Sequence, residues 1–295
     1  MSVTLTHPRT TGFDTTVLSV IAPCFNEQDN VDVLVDRTLA VFDEMDVAAE
    51  LLLVDDGSTD DTWERVLRCS RRDNRVHGVK HASNQGIEGA WRSGLEVASG
   101  ELVCLIDADL QNRPEDIPRL YKTYLRELPD IVQAVRHPVR GVRRCRNFSR
   151  GLNFLLNLTF RMRLRDSKSG FLLCRRDVLA NLLRHRFHYR YFQSFIGVAA
   201  GSQGYTIAEV DTDFDQRHAG KSFLSRFPIA VSLRICWELL KFRVETRAAT
   251  REAATRQRKW LIPPVLAETA PRWTENPFSV LSDVPRKDTR HSASK

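Results

Sequence analysis

The sequence predicts an α/β fold, with a mostly parallel sheet and helices on both of its faces. Three observations lead there. Between residues 17 and 135, short apolar runs alternate with stretches of helical periodicity. Strands that alternate with helices are joined most simply in parallel, because each crossover needs a helix's length of chain. The polar residues richest in chemistry fall directly after the apolar runs, where an open α/β sheet collects its ligands.

Each element has its own signal. Residues 17–22 form an apolar run of strand length. From Asp29 to Asp43, Val31, Leu34, Val35, Leu39 and Phe42 recur at helical spacing. Residues 50–54 read as the next strand and 60–71 as the helix after it. Residues 75–79 are a short strand, 88–98 a helix and 101–106 another strand. Pro114 opens a helix that runs to Glu127, since a first turn accepts a residue with no N–H. Residues 131–135 close the series.

The second half is less regular. Residues 147–160 and 191–200 read as helical, 170–174 and 206–210 as strands, and 222–247 as one or two helices. From Ala248 the chain turns arginine-rich and then proline-rich (Pro263, Pro264, Pro271, Pro277, Pro285), which predicts an extended or disordered tail over 262–295. The expected organisation is an N-terminal extension over 1–16, a main domain over 17–221 with halves 17–135 and 136–221, an amphipathic and basic helical region over 222–261, and the tail. No internal repeat is evident.

Charge divides the chain in the same place. Residues 1–135 carry 13 Lys and Arg against 24 Asp and Glu, net −11. Residues 136–259 carry 26 against 9, net +17. The basic half implies an anionic partner, be it phosphate, a membrane surface or nucleic acid, unless it is simply a solvated face. The six cysteines are scattered without a C-x-x-C spacing, so neither structural disulfides nor a zinc site is expected. The polar start carries no apolar signal core, and no apolar run reaches the ~18–20 residues of a membrane span. A cytoplasmic location fits both.

Asp107-Ala108-Asp109-Leu110-Gln111 follows the apolar run 101–106. Two carboxylates one residue apart at a strand end can aim hard oxygen ligands at one point, as Mg2+ or Mn2+ with phosphate oxygens requires. Alone, such a pair could equally just turn a loop. Here it is joined by Pro23-Cys24-Phe25-Asn26-Glu27 after the first strand, Asp55-Asp56-Gly57-Ser58-Thr59-Asp60 after the second and Asn84-Gln85-Gly86 after the third. Asp55 and Asp60 also suit a turn and a helix cap.

Val54-Asp55-Asp56-Gly57-Ser58 together with Asp107-Ala108-Asp109-Leu110-Gln111 and Pro114-Glu115 resembles the pattern of family-2 glycosyltransferases of the GT-A (Rossmann-like) fold, over about residues 17–242. The branch it is most similar to holds dolichol-phosphate mannose synthase and the bacterial polyprenyl-phosphate glycosyltransferases. The resemblance implies inverting transfer from a nucleotide sugar such as GDP-mannose or UDP-glucose to a polyprenyl phosphate. It places Pro23 and Glu27 at the nucleotide pocket, Asp56 near base or ribose, and Asp107 at ribose and metal-bound diphosphate. Asp107, Asp109 and Gln111 become ligands of Mg2+ or Mn2+, and Arg136 lies at a donor or acceptor phosphate. Asp109 also counts among the catalytic residues.

The resemblance extends to Ser149-Arg150-Gly151 and Asp166-Ser167-Lys168-Ser169-Gly170-Phe171 on the acceptor side. It also covers Arg217-His218-Ala219-Gly220-Lys221-Ser222 as a closing loop over the pyrophosphate, with Arg217 and Lys221 on the leaving group. Asp166 is the candidate base if the acceptor is a hydroxyl. Two departures stand out: Phe223 follows the loop serine where relatives commonly have lysine, and Phe192-Gln193 is followed by Ser194 and Phe195 where many have glutamate.

From Ser222 to Phe242, aromatic and aliphatic residues interleave with Arg226, Arg234 and Lys241. This segment suits either peripheral docking at the cytoplasmic face of an anionic membrane, or packing on the catalytic domain or a membrane-protein partner. Nucleic acid is not an expected partner. Other readings of the chain are a soluble glycosyltransferase acting on a small molecule, polysaccharide or protein, a nucleotidyltransferase, and a binding module without turnover.

Overall fold

A computed structural model describes residues 3–5, 16–138, 153–154, 157–158, 164–166, 169–185, 189 and 192–215, with 234, 237–238, 241–242 and 244 of a C-terminal helical stretch. Its elements are β1 (Val3–Leu5), β2 (Leu18–Cys24), α1 (Val31–Met45), β3 (Ala49–Asp55), α2 (Thr62–Arg72), β4 (Val76–His81), α3 (Gly86–Val97) and β5 (Leu102–Leu105). A 3-10 turn (Pro114–Asp116) leads into α4 (Ile117–Glu127), followed by β6 (Ile131–Pro138), β7 (Leu172–Arg175), α5 (Arg176–Leu182), a second 3-10 turn (Phe192–Phe195), α6 (Ile196–Ser202) and β8 (Ile207–Phe214).

The strands form one sheet in the order β1-β4-β3-β2-β5-β7-β6-β8. Pairs β4–β3, β3–β2, β2–β5 and β6–β8 are parallel. Edge strand β1 runs antiparallel to β4, and β7 runs antiparallel to both β5 and β6. Six strands therefore point one way. β2 and β3 are buried on both faces, hence their near-continuous apolar sequences.

Alternation along the strands assigns the faces. Ile21, Leu52, Val54, Val103, Leu105, Leu172 and Cys174 share one cluster with Trp91 of α3 and with α5 and α6. On the other face, α1 touches α2 and α4. Helix α3 lies so close to the sheet that a Cβ on Gly94 would sit 2.5 Å from Ile21 Cγ2. At the amino-terminal ends of the strands a polar knot replaces apolar packing. Buried Glu50 accepts 2.6 Å hydrogen bonds from Ser19 Oγ, Ser99 Oγ and the Ser99 N–H through its Oε1.

The structure adds to the sequence reading in three places. Residues 1–16, expected as an extension, contain β1, too short at three residues to show any periodicity. Helix α5 was not foreseen, because its charged start continues directly from β7. The strand expected over 170–174 exists as β7 but runs backwards, since a period of two carries no direction. The tail and residues 139–152 lie outside the described residues.

Candidate functional site

The six co-directional strands end at Cys24, Asp55, His81, Leu105, Pro138 and Phe214, on one edge of the sheet. Antiparallel β7 begins at that same edge, just after Ser169 and Gly170. The loops at 23–27, 55–60, 84–86 and 107–111 therefore converge there.

The first two loops are stapled together. The Asn26 N–H donates to Ser58 Oγ (2.9 Å), and Asn26 Oδ1 accepts from the Thr59 N–H (2.9 Å). Asn26 sits at φ 56°, a conformation asparagine tolerates better than most residues. The Glu27 N–H donates to Thr62 Oγ1 (2.9 Å), and its carboxylate accepts from Asn30 Nδ2. Pro23 lies half-buried in register with Val54. Asp60 Oδ1 accepts from the Thr62 N–H (3.1 Å) and hydroxyl, next to Asp61 at the start of α2. Asp55 accepts from the Ser58 N–H (3.0 Å) in a side-chain turn. Burial pushes the Cys24 thiol well up, helped by the negative charges of Glu27, Asp55 and Asp60.

Asp56, expected near base or ribose, is buried and engaged by the protein on both oxygens. Oδ1 lies 2.7 Å from His81 Nδ1 and accepts from the Gln85 N–H (2.8 Å), while Oδ2 accepts from the Gly86 N–H (2.8 Å). These N–H groups open α3, so Asp56 meets the positive end of that helix. His81 Nε2 continues to Ser93 Oγ at 2.8 Å. Gly57, at φ 72°, allows the loop to pass; a Cβ there would lie 2.7 Å from the Ser83 carbonyl carbon.

The Asp107–Gln111 loop turns sharply. Asp109 is buried and accepts from the Gln111 N–H (3.1 Å), with Leu110 at φ 61° between them. Gln111 O accepts from the Asp215 N–H (2.9 Å), and Asn112 bridges to Phe214. Arg113 clamps Asp215 at 2.5 and 2.6 Å, which holds that carboxyl below its usual range. The carboxylate loop is thus sewn to the end of β8, and Arg217 follows Asp215 by two residues.

Arg136 at the end of β6 donates to both oxygens of Asp166, Nε to Oδ2 at 2.7 Å and Nη2 to Oδ1 at 3.0 Å, and its guanidinium lies 5.2 Å from the centre of the Phe214 ring. Burial pulls the Arg136 pKa down, but the Asp166 hydrogen bonds and the charges of Asp166, Asp107 and Asp109 raise it overall. Both carboxylates of the Asp-x-Asp pair thus act on this guanidinium. The pairing also occupies both oxygens of the residue nominated as a base.

Asp107 is held from two sides, by Gln193 Nε2 on Oδ1 (2.9 Å) and Asn112 Nδ2 on Oδ2 (3.2 Å). Neither amide was nominated from the sequence. Gln193 was noted only for the residues after it, and Asn112 looked like loop. The signal available was Gly170, whose missing side chain makes room for Gln193. Arg217, Lys221, Ser149, Arg150, Gly151 and Phe223 lie outside the described residues, as do the side chains of Ser194 and Phe195.

Among the described residues, no three His, Cys, Asp or Glu side chains gather around one metal position. Two carboxylates and an amide still fit Mg2+ or Mn2+, which complete their shells with phosphate and water oxygens. Buried Asn112 Oδ1 has no hydrogen-bond partner among the described residues, so the loop keeps polar capacity to spare.

The sequence pattern of glycosyl transferase family 2 matches residues 19–183, more than half of the chain. The chain belongs to that family. Among curated relatives, an undecaprenyl-phosphate 4-deoxy-4-formamido-L-arabinose transferase of Edwardsiella ictaluri is 32% identical over 206 residues, covering 70% of this chain and 62% of the relative. The Salmonella dublin protein of the same name is 31% identical over the same shares. The match thus spans about three-fifths of the relatives' length.

Among solved structures, glucosyl-3-phosphoglycerate synthase from Mycobacterium tuberculosis with Mg2+ and uridine diphosphate superposes with a TM-score of 0.57. It is 23% identical, covering 77% of this chain and 79% of that one. With Mn2+, uridine diphosphate and glucosyl-3-phosphoglycerate the TM-score is 0.55 at 21% identity, covering 83% and 82%. The likeness establishes a shared GT-A fold for this family-2 member.

On the C-terminal helical stretch, Phe242 and Glu238 are buried, and Phe242 meets the rings of Tyr189 (5.7 Å) and Phe192 (6.4 Å). Phe242 had been counted on the interfacial face; ring packing on the domain takes it instead. Arg234, Trp237, Lys241 and Val244 are exposed at helical spacing, and Lys241 Nζ lies 5.7 Å from the Trp237 ring centre. No described helix is long and apolar enough to cross a membrane.

Proposed function

We propose that this protein transfers a sugar from a nucleotide-sugar donor to a polyprenyl phosphate, with inversion at the anomeric carbon. The observation that carries the reading is the convergence of the Asp107–Gln111 loop and of Arg136, held by both oxygens of Asp166, on the carboxyl edge of the sheet. It sets an acidic loop suited to a cation beside a fixed guanidinium suited to a phosphate. Asp107, Asp109 and Gln111 would hold Mg2+ or Mn2+, which would neutralise charge on the diphosphate.

The remaining steps fall to the chain's own residues. Pro23 and Glu27 border the nucleotide, while Asp56 shapes the pocket by fixing the start of α3. Arg217 follows Asp215, which is tied to the carboxylate loop, by two residues and Lys221 by six, a reach of at most ~7 Å and ~22 Å of extended chain. There they stabilise the departing nucleotide. Arg136 positions the acceptor phosphate. A phosphate monoester is already largely ionised at neutral pH, with a second pKa of about 6, so its oxygen attacks without a protein base. The engagement of both Asp166 oxygens by Arg136 supports that choice over a hydroxyl acceptor. Trp237, Arg234 and Lys241 would rest on an anionic membrane at its cytoplasmic face, where the acceptor resides.

A thermal-shift panel of nucleotide sugars with Mn2+, followed by mass spectrometry of products, tests this reading. A glycosylated polyprenyl phosphate is expected, and Asp109→Ala should abolish its metal-dependent formation. Products formed only on soluble hydroxyl acceptors would overturn it.

A further inference from the structure

Resting on that reading, we propose that Gln193 is a positioning residue for Asp107, through which the acceptor half of the chain sets the metal-binding geometry of the donor half. Asp107 carries one amide N–H on each oxygen: Gln193 Nε2 at 2.9 Å and Asn112 Nδ2 at 3.2 Å. Two donors from opposite sides fix the plane of a carboxylate that would otherwise rotate about a broad torsion. A carboxylate oxygen can accept more than one contact, so an amide donor does not by itself exclude a cation. A neutral amide suits this task better than lysine or arginine, because it orients the carboxylate without competing with the metal for its charge.

The two donors differ in origin. Asn112 belongs to the same loop as Asp107, whereas Gln193 arrives from a turn 86 residues away in sequence. That turn is anchored by Phe192, fully buried with ring centroids 4.8 Å from His185 and 6.4 Å from Tyr189. A second feature was built around the same contact. A Cβ on Gly170 would lie 2.6 Å from Gln193 Nε2 and 2.8 Å from its Cγ, so any side chain there would displace the stem of Gln193 as well as its tip. Gly170 does not have positive φ, so space rather than backbone conformation is what its hydrogen provides.

The test uses the full chain and three variants: Gln193→Ala, Gln193→Met and Gly170→Ala. Methionine keeps the volume of glutamine and removes the donor, so it separates hydrogen bonding from packing. Mn2+ is titrated in the presence of UDP and separately of GDP, with binding read by electron paramagnetic resonance. Thermal unfolding and metal-free nucleotide binding are measured alongside.

Gln193→Met and Gly170→Ala are expected to weaken Mn2+ binding about 10- to 100-fold, with metal-free nucleotide affinity unchanged. Wild-type Mn2+ affinity in Gln193→Met would overturn the proposal, including the case in which only Gln193→Ala is impaired, since packing would then suffice. Parallel loss of metal-free nucleotide binding would overturn it too, by showing general collapse of the pocket. If the unmodified protein binds no Mn2+ with either nucleotide, the metal-diphosphate reading itself fails. That result is distinct from an unchanged Gln193→Met variant.

Discussion

Asp166→Asn separates two roles that the same carboxylate could play. If Asp166 holds Arg136, the amide keeps one acceptor but turns an NH2 group toward the guanidinium, and one of the two hydrogen bonds is lost. Removing one partner of a fully buried ion pair costs roughly 3–5 kcal/mol. Here the side chains are 13% and 26% exposed, and Arg136 retains the Phe214 ring and the charges of Asp107 and Asp109. Solvent screening and these residual partners reduce the expected loss to about 1–3 kcal/mol. At roughly 3 °C per kcal/mol for a domain of this size, the melting temperature should fall by about 3–9 °C. Turnover with a polyprenyl phosphate should fall by less than about 100-fold, with the pH profile unchanged in shape, because no proton is transferred to Asp166. Thermal unfolding and kcat against pH read both quantities. An unchanged melting temperature, with a 1,000-fold or greater loss of kcat and disappearance of the acidic limb, would refute this reasoning and identify a general base.

Gly94→Ala should cost about 1–3 kcal/mol in urea unfolding, since its methyl would meet Ile21 Cγ2 at 2.5 Å. Phe242→Ala should cost about 3–5 kcal/mol by the same measurement, whereas Trp237→Ala should stay within about 0.5 kcal/mol and instead weaken salt-sensitive binding to anionic vesicles. Asp215, whose carboxyl is lowered first by the hydrogen bonds from Arg113, contributes stability that is present above about pH 4 and lost as pH falls through its lower folded value. Asp215→Asn should therefore flatten the stability curve below about pH 4, and identical slopes in both proteins would contradict this.

The central strands were legible because β2 and β3 are buried on both faces and must be apolar at nearly every position. The carboxylate loop was legible because its residues sit at a strand end. Two physical facts escaped the pattern. Strand direction leaves no trace in periodicity, so β7 could be found but not oriented. Partnership between distant residues leaves little trace either. Asp56 reads as a ligand group until His81, Gln85 and Gly86 are seen to occupy it, and Gln193 reads as part of a helix until it meets Asp107. Phe242 shows the same limit, since an apolar residue on an amphipathic stretch suits a protein core as well as a lipid surface.

The reversal of β7 has an evolutionary corollary. β6 and β7 are antiparallel neighbours, so the chain over 139–171 leaves the sheet at the site edge and re-enters at the same edge. A connection between two antiparallel neighbours tolerates length, since each doubling of a closed loop adds only about 0.6 kcal/mol of closure entropy. This stretch, rich in arginine, can be recut or exchanged between relatives while the parallel strands and the carboxylate loop between them keep their register. Under the proposed function, acceptor preference could then diversify as a cassette while the loops on the parallel strands stay unchanged.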